Sequence, residues 1–131
     1  MHVGALLLHV LDHLTAAVPS PYALATEGSK ILLLDGQRVR SSSHIDVPQD
    51  VPELAETLRE AAVRILDEAQ DLVMSSTGSL WPQGPSPHPA AAWTETGTLR
   101  LGYYPSGDDA REAVLAVPDY RPPSGHPTAG G

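Results

Sequence analysis

Apolar residues recur at helical spacing near the start of the chain. At about 100° per residue, Leu6, Leu7, Val10, Leu11, Leu14, Ala17 and Val18 share one side, while His9, Asp12, His13 and Ala16 share the other. Leu8 falls outside the stripe. This predicts a helix from Ala5 to Val18, stopped by Pro19 and Pro21. Strand signals follow from Tyr22 to Val47. Ile31 to Leu34 is a wholly apolar run, and Asp35-Gly36 supplies a hairpin turn whose central residues need positive φ. The return strand alternates, placing Val39, Ser41, Ser43, Ile45 and Val47 on one face and Arg38, Arg40, Ser42, His44 and Asp46 on the other. An earlier strand over Tyr22 to Thr26, turning at Glu27-Gly28, also fits.

A second helix begins with a capping box, Asp50 with Glu53, and Pro52 in its first turn, and it runs to Ser75. Leu54, Leu58, Ala61, Ala62, Ile65, Ala69, Leu72 and Val73 form its apolar stripe, opposite Glu56, Glu60, Asp67 and Asp71. Val63 and Met74 sit on the acidic side, where a lone monomer has no use for them. Trp81 to Ala92 reads as a Pro-rich loop. A hairpin follows, Ala91 to Glu95 and Thr98 to Tyr104 about Thr96-Gly97, then a last strand at Ala113 to Val117. The expected fold is α+β in the order α-β-β-α-β-β-β. An antiparallel sheet of about five strands carries both helices on one face. Residues 1–118 form one domain and 119–131 an extended Pro- and Gly-rich tail.

The 131-residue length suits a single domain with a modest core. Eight basic residues against sixteen acidic give a net charge of -8. A phosphate backbone repels that balance, and Lys30, Arg38 and Arg40 are too sparse a patch to reverse it, so no direct sequence-specific nucleic-acid binding is expected. The charge concentrates between residues 50 and 71, which hold seven acids and two arginines. Zero cysteines exclude disulfides, thiolate catalysis and Cys-based zinc sites. Gly4 to Val18 lacks a basic leader and is broken by His9, Asp12 and His13, unlike a secretory signal. No segment approaches a membrane span. The expected location is the cytoplasm of the producing cell or a virion.

Candidate chemistry is sparse. His9 and His13 stand at metal-ligand spacing with Asp12 beside them, but a solvated helix face explains all three. Glu56 and Glu60 lie opposite the apolar stripe and in no cleft. Ser41-Ser42-Ser43 beside His44 has no nucleophile elbow around it. The expectation is a non-enzyme with no catalytic residue, metal or cofactor. Trp81 and Trp93 bracket the Pro-rich loop, as core caps or as interface anchors.

Three stretches carry a resemblance: Ile65-Leu66-Asp67-Glu68-Ala69-Gln70-Asp71, then Trp81-Pro82, then Thr98-Leu99-Arg100-Leu101-Gly102-Tyr103-Tyr104. Across residues 50–118 the chain resembles small proteins of high-GC bacteria and their tailed phages. Some of those are head–tail connector or tail-terminator components. The resemblance implies a structural subunit that stacks into rings through sheet edges and charged faces, with itself and other particle proteins as partners. The interface residues to expect are Arg38 and Arg40 on the basic strand, and Glu56, Glu60, Val63 and Asp67 on the acidic helix. Trp81, Trp93 and Tyr120 complete the set, Tyr120 as an anchor for the tail. The alternative is a soluble host adaptor or regulatory protein-binding module that uses the Pro-rich loop from Trp81 to Trp93.

Overall fold

The structure is a computed structural model and describes residues 3–28, 30–44, 55–84, 86–105 and 112–121. Helix α1 spans Val3–Leu14 and tightens into a 3-10 turn at Thr15–Ala17. Three strands follow, β1 (Tyr22–Glu27), β2 (Lys30–Asp35) and β3 (Arg38–His44). Helix α2 spans Ala55–Thr77 and leads to β4 (Pro87–Trp93), β5 (Leu99–Pro105) and β6 (Leu115–Tyr120). The order is therefore α-β-β-β-α-β-β-β, two α-β-β-β runs in succession. The strand signal at Tyr22 is a full strand, which corrects the expected order.

The expected single sheet of about five strands is wrong. Among the described residues there are two separate antiparallel sheets of three strands, β1-β2-β3 and β4-β5-β6. The strands that would have to join them are poor neighbours. β4 carries Pro87 and Pro89, which have no N–H for a second ladder, and β6 carries Pro118. β3 is bulged where its register with β2 shifts between Leu33 and Leu34. The Pro-rich stretch expected to be a loop up to Ala92 is thus half an edge strand. Gly102 on β5 lies so close to β6 that a Cβ there would meet the Leu115 carbonyl oxygen at 2.6 Å.

The last strand runs to Tyr120, beyond the expected start of the tail at residue 119. The capping box at Asp50 and Glu53, and residues 122–131, lie outside the described residues.

α2 packs against strands of both sheets and against α1. That explains its wide apolar arc. Leu58, Ala61, Ala62, Ile65, Leu66, Ala69, Leu72 and Val73 are all buried, and at 100° per residue they span about 140° of the helix. Leu66, absent from the predicted stripe, extends that arc towards the second sheet, where Tyr103 donates its hydroxyl to the Leu66 carbonyl at 2.6 Å. Met74, placed on the acidic side from sequence, packs instead against the core.

Polar ties hold the rim. Buried Gln70 donates its amide to the carbonyls of Trp81 at 3.2 Å and Pro87 at 3.1 Å, pinning the Pro-rich segment to α2. The Trp81 indole N–H donates to Ala17 at 3.1 Å, and its ring meets Tyr103 edge-on. The Leu24 N–H donates to the Thr15 hydroxyl at 3.0 Å, joining the 3-10 turn to β1.

Among the described residues no helix is long and apolar enough to cross a membrane.

Replacing Ile65 with Ala removes side-chain volume from the helix ridge shared by both sheets. Chemical denaturation should show a loss of about 2–5 kcal/mol. Gln70→Leu should cost about 1–3 kcal/mol, because two buried carbonyls lose their donor.

Candidate interaction site

Facing away from its buried arc, α2 presents Glu60, Val63, Arg64, Asp67 and Glu68. Across from them stand His88 and Pro89 of β4. Together these seven residues line an open groove of about 590 Å³. Three residues singled out from the sequence, Glu60, Val63 and Asp67, therefore meet at one place. Val63 is only partly buried there. The groove's remaining members were not expected. His88 and Pro89 fell within a stretch read as loop, although the alternation Pro87-His88-Pro89 is compatible with an edge strand.

The electrostatics of the groove are crowded. Burial raises the Asp67 carboxyl above its ordinary value, and the neighbouring Asp71 and Glu68 raise it further, while Arg64 opposes them. Glu68 is tied back to the first sheet, accepting the Ser43 hydroxyl at 2.5 Å. Beneath the groove, burial pushes the Tyr103 phenol well above its usual range, and the charge of Asp67 adds to that. Tyr103 spends its proton on a helix carbonyl, and Glu68 accepts one from a serine hydroxyl.

The other expected interface residues are scattered. Glu56 is exposed, and the Arg59 guanidinium hydrogen-bonds it through both carboxylate oxygens, which holds its carboxyl below the usual range. Arg38 and Arg40 lie exposed on β3, Arg40 3.9 Å from Asp35 and with its guanidinium over the Tyr22 ring. Leu33 pairs with Ser41 and Leu34 with Val39, so the bulge sits at Arg40. Residues paired across a ladder share a face. Val39 therefore joins Leu34 on the outer face and is 57% exposed, not aligned with Ser41 as simple alternation predicts.

Trp81 is buried in the core at 4% exposure, and Trp93 is partly buried against it. Trp81 also lines a second cavity of about 520 Å³, with Pro19, Leu80, Pro82 and Leu115. Tyr120 is buried in this chain's own core, its ring edge-on to His9. His9 and His13 are occupied as fasteners. The His9 Nε2–H donates to the Pro118 carbonyl at 2.6 Å, closing α1 onto β6, and the His13 Nδ1–H donates to the His9 carbonyl at 2.9 Å. Asp12 is exposed, and no group of three metal-ligating side chains converges among the described residues.

Compared with known protein families, curated proteins and solved structures, the chain matches none. Its functional reading rests on the groove and the surfaces around it.

The raised Asp67 carboxyl has a definite sign. Its ionised form is disfavoured by the fold, so it detracts from stability once pH rises above the unfolded carboxylate range. Asp67→Asn should therefore raise the urea midpoint at neutral pH. That gain should fade to nothing below about pH 3, where carboxylates are protonated in both states.

Proposed function

We propose that this chain is a non-enzymatic subunit of a multi-subunit assembly and works by presenting surfaces to other subunits. The groove between α2 and β4 carries the reading. It sets a partly buried valine among carboxylates that crowd one another. An isolated monomer gains nothing from that arrangement. A cationic partner with an apolar contact point relieves both features at once, by neutralising the carboxylates and covering Val63. The resemblance to head–tail connector and tail-terminator proteins supports the finer version, a ring subunit of a phage or phage-like particle. Sheet edges blunted by proline and by a bulge suit such a subunit, since they discourage indiscriminate strand pairing and leave assembly to side-chain surfaces.

A second reading, a soluble adaptor for an apolar protein segment, is favoured by one observation. Leu80 is 51% exposed at the cavity beside Trp81 and Pro82.

Static light scattering across protein concentration separates the two. The assembly reading predicts a mass that grows with concentration and shrinks as salt screens the charged groove. A mass fixed at one chain over the whole range would overturn it and leave the adaptor reading.

A further inference from the structure

Resting on the assembly reading, we propose that the groove's occupant is the Arg38–Val39–Arg40 segment of a second copy of this chain. The two surfaces match in charge. The groove offers Glu60 and Asp67 about a floor of Val63 and Pro89, with Arg64 as its one guanidinium. β3 offers two exposed arginines flanking an exposed valine. The bulge turns Val39 outwards beside Leu34, while Arg38, paired with Asp35, and Arg40, beside Asp35 and the Tyr22 ring, gather on the opposite face of β3 as a pair of cations. Arg40's existing partner is weak, Asp35 at 3.9 Å with both side chains nearly half exposed, so it can be exchanged at little cost.

Alternative pairings of copies are less favourable. Antiparallel pairing of β3 with β3 of a second copy would bring Arg38 towards His44 and would meet the bulge on both sides. Groove against groove would oppose carboxylate to carboxylate. The proposed contact joins two different patches and is heterologous. Each copy keeps one free groove and one free β3 edge, so growth ends in a ring if the rotation closes and in a filament if it does not.

Charge reversal tests this directly. The two double variants are R38E/R40E, with an acidic strand and an acidic groove, and E60K/D67K, with a basic strand and a basic groove. All four positions are exposed, and circular dichroism confirms that each variant folds. Each alone should assemble only at concentrations at least about tenfold higher than the unaltered chain, the lower end of couplings between close charge pairs. Mixed one to one, they should regain assembly, because every strand then meets a groove of opposite sign. If R38E/R40E assembles as the unaltered chain does, or if the mixture stays monomeric, the inference is wrong although the assembly reading stands. If the unaltered chain itself never assembles, the assembly reading fails first.

Discussion

Ile65 and Leu66 are neighbours on one helix and both are completely buried. With six further buried residues they form an arc of about 140°, wider than the stripe of about 100° that one packed face requires. The arc is wide because α2 serves strands of both sheets and α1 at once. Everything else in the architecture accommodates this demand. The sheets stay separate, β3 is bulged, β4 and β6 carry prolines, and α1 seals the remaining side through His9 and Pro118. Gln70, at the margin of the buried arc, then fixes where the chain emerges towards β4.

The same geometry determines what α2 leaves exposed. An arc of about 140° is buried, and the rest carries nearly all the helix's charge. Acids crowded onto that strip repel one another and are partly desolvated beside β4, which accounts for the raised Asp67 carboxyl. The local pair of Glu56 with Arg59 compensates its own charge at the helix's first turns. Further along, Arg64 stands in the groove against Glu60, Asp67 and Glu68. The imbalance falls on the stretch that borders β4, and it is there that Val63 is left partly uncovered.

Much of this could be read along the chain. Helix periodicity located both helices, and Asp35-Gly36 and Thr96-Gly97 located two hairpins. The acidic strip with Val63 was visible as a helix face. The division into two sheets was not, because alternation reports which face of a strand is buried and says nothing of which strands are neighbours. Pro87, Pro89 and Pro118 held the relevant information, but proline marks turns and loops as well as strand edges. The bulge at Arg40 reversed the facing of Val39 without any glycine to announce it. Tyr120 was misplaced in an extended tail because Pro118 resembles a strand terminator. Pro118 is in fact a sheet-edge residue whose carbonyl is held by His9.

Burying α2 between two sheets leaves the groove beside β4 with uncompensated charge, and in our proposal this surface meets the β3 edge of another copy. Amide hydrogen exchange on dilute and on concentrated protein tests it most directly. The prediction is that concentrating the protein slows exchange at Val39 to Ser42 and around His88. The core amides of α2, from Ile65 to Val73, should keep the same rates. Exchange that ignores concentration, or slowing confined to Leu80 to Gln83, would contradict it.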